Sequence, residues 1–231
     1  MKPKLLFHFI LLLISVRLSA QNAQIPPTPV DYKVIEKAVT DSTSAYYYPK
    51  LINRYVQSDT SLKYQDYTYI YYGNAFSPAY APYTKSENEE KFLELYNKER
   101  YKRAIAMGEK VLKENPINLN VTYKIGISHN VLGNKPMAKE YAKKYYLILG
   151  AIYHSGTGKN QQDAFTVIKV EDEYQILKDL DFKSTSQSLI GDTDKHIIST
   201  DNQKSKEPIT EIYFNVSMPL KYLQKELNQT K

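Results

Sequence analysis

Apolar residues recur at helical spacing through most of the chain. Val34, Ile35, Ala38 and Val39 share one face behind Asp31, and Leu51, Ile52, Tyr55 and Val56 share another behind Pro49. Pro49 suits a first helical turn, where its missing N–H costs nothing. A third helix is predicted over 64–72, with Gly73 as its left-handed C-terminal residue. From Gly73 to Lys85 the two prolines, Pro78 and Pro82, forbid regular helix. Phe76, Tyr80 and Tyr83 in the same stretch predict a loop pinned to a core.

Ser86-Glu87-Asn88-Glu89 matches a capping box and opens a helix through Phe92, Leu93, Leu95 and Tyr96. A turn near Glu99-Arg100 leads to a second helix with Tyr101, Ala104, Ile105, Val111 and Leu112, stopped by Asn115-Pro116. A third is predicted over 119–132, ending at Gly133, and a fourth from Pro136 carries Ala138, Tyr141, Ala142, Tyr145 and Leu149. Four helices with short connections predict antiparallel hairpins.

Beyond Gly150 the period changes. A strand is predicted over 165–170, followed by a helix opened by Glu171-Asp172-Glu173, three acids suited to the positive end of a helix dipole. Strands are predicted over 196–199 and 209–216, with a hairpin loop at 201–208 and a last helix from Ser217 and Pro219 through Leu227. The fold class is therefore mainly α with a small α+β C-terminal section: antiparallel helical hairpins plus a short antiparallel sheet. The pattern divides the chain into a Tyr-rich helical section at 31–85, hairpins at 86–152 and an α+β cap at 153–231, with 31–228 expected to form one integrated domain.

The N-terminus reads differently. Lys2 and Lys4 precede an apolar run over 5–16, and Leu18-Ser19-Ala20 ends in small residues. This is the order of a signal peptide over 1–20, cleaved after Ala20 and followed by an extended, Pro-containing lead-in at 21–30. The apolar run is shorter than the ~20 residues of a spanning helix, so no membrane anchor is expected after cleavage. The whole chain has 31 Lys+Arg against 25 Asp+Glu, a net charge of +6. Without Lys2, Lys4 and Arg17 the balance falls to 28 against 25, or +3, and no basic run remains to track a phosphate backbone. Nucleic acid is not an expected partner. The chain has no cysteine, so neither lipid attachment at a cleavage-site cysteine nor a thiolate site is available. The expected location is periplasmic or extracellular.

Tyr101, Ala104 and Pro116, then Gly126, Gly133 and Ala138, fall at spacings that resemble the tetratricopeptide repeat, close to two units of ~34 residues. Thr122, Glu99 and His129 depart from that pattern, standing where a large aromatic, a turn glycine and a tyrosine are usual. The resemblance implies close helix approach at Gly126 and Ala104, and recognition of a protein or peptide through a concave face. A wider likeness runs through Tyr47-Tyr48-Pro49-Lys50-Leu51, Tyr71-Tyr72-Gly73, Tyr80-Ala81-Pro82-Tyr83, Gly156-Thr157-Gly158-Lys159, Glu173-Tyr174, Gln187-Ser188-Leu189 and Tyr213-Phe214-Asn215. These resemble an uncharacterised family of secreted proteins from Bacteroides-type bacteria, a domain of unknown function. That likeness implies a location and an architecture, and no activity.

Candidate chemistry is sparse. His129, His154 and His196 form no i, i+4 metal pair. Gly156-Thr157-Gly158-Lys159 lacks the spacing of a phosphate loop and reads as a tight turn. Asp192 and Asp194 alternate as in calcium loops but lack the later glutamate, and read as a solvated turn. No catalytic set, cofactor or metal site is expected. An enzyme built around His154 and Asp163 ranks last among the functions considered. The one compositional anomaly is tyrosine: 22 in the chain against seven phenylalanines and no tryptophan, with half of them between Tyr46 and Tyr83. Tyr71, Tyr72, Tyr80 and Tyr83 are the candidate binding surface. Packing of the core is the competing use of these rings. The expected function is non-catalytic protein or peptide binding, with glycan binding through exposed tyrosines as the alternative.

Overall fold

The computed structural model describes residues 27–231 apart from 202, 206, 230 and 231. The expected signal segment at 1–20, and 21–26 of the lead-in, lie outside the described residues. The rest of the lead-in, 27–30, has no regular structure and is tied down by Thr28 N–H donating to the His154 carbonyl at 2.8 Å.

Helix α1 (Tyr32–Thr40) is capped by the Asp31 carboxylate, which accepts from the amides of Lys33 and Val34 at 2.9 and 3.1 Å. Helix α2 (Tyr48–Val56) has Pro49 in its first turn, and α3 (Tyr64–Gly73) follows. Gly73 differs from the expected left-handed terminus. Its φ is −64°, and the chain continues into a 3₁₀ turn over Asn74–Phe76. A glycine stands there because a Cβ would lie 2.8 Å from Val39 Cγ1 and 3.0 Å from the Tyr48 ring, so its absence lets α3 approach α1 and α2.

The hairpins are α4 (Glu87–Asn97) with α5 (Tyr101–Glu114), and α6 (Leu119–Val131) with α7 (Lys135–Tyr153). Ser86 Oγ accepts from the Glu89 amide at 3.3 Å, so the serine half of the predicted capping box forms. The Glu89 side chain is instead buried, and its Oε1 has no partner. Gly126 sits under Tyr141, whose Cβ would be 3.3 Å from an added methyl, which accounts for the close approach of α6 and α7. Gly108 is tighter still, with Ile125 Cδ1 at 2.7 Å and Phe92 Cε2 at 2.9 Å from a Cβ position. Phe92, Leu95, Ala104, Val111, Val121, Ile125 and Tyr141 form a small core of their own within the hairpins.

The C-terminal section comprises β1 (Phe165–Thr166), α8 (Val170–Asp179), β2 (Ser184–Ile190), β3 (Thr193–Ile198), β4 (Glu211–Asn215) and α9 (Ser217–Gln229). The strand order is β1-β4-β3-β2. The β2–β3 and β3–β4 pairs are antiparallel and β1–β4 is parallel, so the sheet is mixed and corrects the expected antiparallel one. A second correction is β2, which the sequence pattern does not reveal: Ser184–Ile190 is polar and almost wholly exposed, without the alternation that marks a half-buried strand. The larger core joins α1–α3, α6–α8 and the sheet, so the first and last sections of the chain share one interior. Among the described residues no helix is long and apolar enough to cross a membrane.

Candidate functional site

Within the hairpins, α6 is covered by the C-terminal section. Helix α6 is buried along most of its length, and α8 of the same chain packs against it. Asn120 Nδ2 donates to Glu171 Oε1 at 3.0 Å, and Lys178 Nζ sits 3.5 Å from the Tyr123 ring centroid. The acids predicted to serve the α8 dipole therefore divide. Glu171 makes side-chain contacts with Asn120 and Lys85, while Asp172 and Glu173 turn into the core.

The tyrosine surface is also corrected. Tyr71 and Tyr72 are fully buried and Tyr80 nearly so, whereas Tyr83 is 45% exposed. Of the eleven tyrosines from Tyr46 to Tyr83, only Tyr64 and Tyr83 are exposed, so that cluster offers no continuous aromatic platform. The three buried hydroxyls serve one backbone segment. Tyr72 donates to the Thr166 carbonyl at 3.0 Å and Tyr80 to the Ile168 carbonyl at 2.6 Å. Tyr71 accepts from the Ile168 amide at 3.2 Å and donates to Asp172 Oδ2 at 2.7 Å. Buried backbone groups require partners. Here side chains supply them beyond Thr166, where the ladder stops because β4 ends at Asn215, so β1 is two residues long where the pattern predicted six.

Behind that segment lies a polar cluster that sequence reasoning missed. Glu173 Oε2 is 2.7 Å from His196 Nε2, and neither side chain is exposed at all. Burial and then the Asp194 charge push the Glu173 carboxyl up to about 9, and burial pulls the His196 imidazole below its ordinary value. Both are therefore neutral at pH 7. The Glu173 carboxyl donates to Nε2, the His196 Nδ1–H donates to Ser184 Oγ at 2.9 Å, and that hydroxyl donates to the Ser186 carbonyl at 3.1 Å. Gln187 Nε2 donates to Asp194 Oδ2 at 2.7 Å, and Tyr174 donates to Gln187 Oε1 at 2.7 Å. Burial also pushes Asp172 up to about 7, opposed by its bond from Tyr71. The Glu173-Tyr174 and Gln187-Ser188-Leu189 stretches, noted separately in the sequence, thus meet at one place. The available signal was the His196 spacing on an alternating strand, which puts it on the face of Asp194.

Above this cluster a groove of about 430 Å³ runs between the 82–85 loop and the first turns of α8. Tyr83 and Tyr174, 45% and 47% exposed, line it together with Lys85, Lys169, Glu171 and Gln175. Lys85 Nζ lies 3.6 Å from Glu171 Oε1, and the buried Gln175 Oε1 has no partner. Burial raises both phenols, followed by Asp194 and Glu173 at Tyr83 and by Glu173 and Asp194 at Tyr174.

The other candidate groups are dispersed. His129 is buried and stacked on Tyr141 with centroids 5.6 Å apart. His154 packs beside the Tyr64 ring, and its Nδ1 is 3.3 Å from the Gly150 carbonyl. Asp163 accepts from the Thr157 hydroxyl, and its carbonyl takes the amides of Thr157 and Gly158, so those amides are committed to the turn. Gly158 has φ +70° there. Asp192 is exposed beside the β2–β3 turn, and Asp194 is buried, so the two do not converge. Among the described residues no group of three His, Asp or Glu is placed to hold a metal ion.

The sequence pattern of a family described as Domain of unknown function (DUF4919) matches residues 33–225. No curated protein and no solved structure matches the chain.

Proposed function

This chain belongs to the family described as Domain of unknown function (DUF4919), and from that premise we propose that it is an exported, non-catalytic module that docks a protein or peptide partner in the groove between Tyr83 and Tyr174. The observation that carries this reading is the contrast in tyrosine exposure. Of the 22 tyrosines only Tyr64, Tyr83 and Tyr174 are exposed, the rest being buried or half-buried, and two of those three stand on either side of one groove whose underlying residues are hydrogen-bonded to each other. Tyrosine offers a large contact area with few rotamers to freeze, which is the economy of a binding surface. A non-catalytic role is supported by the zero exposure of Glu173 and His196, which leaves that pair no access to a substrate.

Repeat-like hairpins would give the groove a stiff support. Glu99 (φ +57°) and Gly133 (φ +79°) turn the chain at positions 34 residues apart, and Ala104 and Ala138 are buried at the same interval. That spacing supports a tetratricopeptide-like origin, with the inward face filled by α8 and the partner site displaced to the edge of α8. Export is supported by the charged, apolar and small-residue order of the first twenty residues.

Peptide and glycan arrays probed with the labelled protein and with a Tyr83→Ala/Tyr174→Ala variant test the reading. Peptide signals that fall roughly tenfold or more in the variant, at an unchanged circular dichroism spectrum, are expected for a pair of aromatic anchors. Peptide binding that ignores both substitutions, or binding to glycans alone, would overturn it.

A further inference from the structure

We propose that β2 is a pairing edge for a second copy of this chain, so that two sheets join edge to edge across a two-fold axis. β2 ends the strand order and is hydrogen-bonded to β3 on one side only. Every residue from 185 to 191 is exposed, and the one side chain that reaches the strand end from elsewhere, Gln161, donates to the Ile190 carbonyl at 3.1 Å and leaves the middle of the free side open. Monomeric proteins guard such edges with lysine, proline, a bulge or a covering loop. Ser184–Ile190 contains no charged residue and no proline, and its one bulge, between Ser184 and Ser186, leaves Ser186–Ile190 in unbroken register with Thr193–Ile197.

The direction of the amides follows from the ladder. Ser199 N–H donates to the Lys183 carbonyl, and Val216 N–H donates to the Asp192 carbonyl. Alternation along antiparallel strands then aims the backbone groups of Ser186, Ser188 and Ile190 at β3, and those of Gln187 and Leu189 away from it. The free edge therefore presents two complete N–H and C=O sets. It is also held in place, because Gln187 is fastened from inside by Tyr174 and Asp194.

A second copy fits this edge on three counts. Antiparallel pairing centred on Ser188 sets Gln187 opposite Leu189 of the second copy and Leu189 opposite its Gln187, so both outward sets are exchanged. A strand without charge meets itself with no like-charge contact, and the flanking Lys195 is already paired with Glu211 at 2.5 Å. Leu189 and Ile190, 54% and 43% exposed, are the apolar side chains such pairing would cover. A neutral edge gives a charged foreign strand no electrostatic preference, whereas it is compatible with its own copy, and two-fold dimers are the commonest closed assembly.

Sedimentation equilibrium from micromolar to millimolar protein, together with amide hydrogen exchange, tests the proposal. The expected result is a dimer whose formation slows exchange at Gln187 and Leu189. Leu189→Pro removes only an outward donor and leaves the β3 ladder intact; it should weaken association roughly tenfold or more at an unchanged circular dichroism spectrum. Should that variant misfold, Leu189→Lys, which sets a charge on each edge, should give the same loss. A protein monomeric throughout, a dimer that leaves these two amides exchanging freely, or a dimer indifferent to a folded variant at 189 would overturn the proposal. A monomer with both amides protected would also overturn it, since another segment of the same chain would then cover the edge.

Discussion

The hairpins and the C-terminal cap are both compact, yet their interiors are built from opposite materials. Phe92, Leu95, Ala104, Val111, Val121, Ile125 and Tyr141 form a core of mostly aliphatic and aromatic side chains, closed by small residues at Gly108 and Ala104, with Glu89 and His129 as the buried ionisable groups of the hairpins. The cap buries Asp172, Glu173, Asp194 and His196 beside Ile176, Ile212 and Phe214. A carboxyl in such a place is kept neutral or hydrogen-bonded, because an unpaired buried charge costs too much. The lesson is that the two regions differ in degree: packing volume governs the hairpin core, while the cap holds the denser cluster of buried acids through which pH acts.

The largest effect expected is on the packing side. Phe92→Ala should lower the unfolding free energy by about 3–5 kcal/mol, equally at pH 6 and pH 9, as read from urea denaturation. A loss that changes with pH would break the contrast.

The next tests the cap. A carboxyl whose folded pKa is raised binds its proton longer in the folded state, so stability falls as pH climbs from its unfolded value of 4.5 to about 9. His196, with a lowered pKa, acts oppositely and only below its ordinary 6.5. Between pH 7 and 9 the Glu173 slope is therefore left uncovered, with Asp172, Asp194, His196 and Tyr83 as its charged or titratable neighbours. The slope has an upper bound of about 1.4 kcal/mol per pH unit. Glu173→Gln, whose amide can still donate to His196, should flatten it. An unchanged alkaline loss in that variant would place the titrating group elsewhere.

The smallest effect sharpens the role of the buried tyrosines. Tyr71→Phe keeps the ring and removes the donor to Asp172 and the acceptor for the Ile168 amide. A loss of about 1.5–3 kcal/mol is expected for a bond to a buried carboxyl, with exchange at the Ile168 amide rising more than that at Phe92. A neutral result would mean that water replaces the hydroxyl.

Helix starts were legible because their determinants are local. The helices predicted to begin near Asp31 and at Ser86 do so, each capped by that side chain, Asn115-Pro116 stops α5, and Glu99 takes a left-handed conformation in the predicted turn before α5. Gly73 was misread because a glycine at a helix end suggests positive φ, while the real constraint was distant, in Val39 and Tyr48. β2 escaped notice for a related reason: its strand state is specified by bonds to β3 and by Gln187 reaching Asp194, neither of which leaves a periodic trace.

What the sequence determined by itself was the set of helices, the change of period after Gly150 and the need to place 22 tyrosines with no tryptophan. These depend on neighbours within a few turns of chain. The inward turn of Tyr71, Tyr72 and Tyr80, the neutral pairing of Glu173 with His196 and the packing of α8 against α6 were decided only in three dimensions. Each depends on what lies across a packed interface, because desolvation and hydrogen-bond partners, unlike propensity, are set by residues from 23 to 101 positions away.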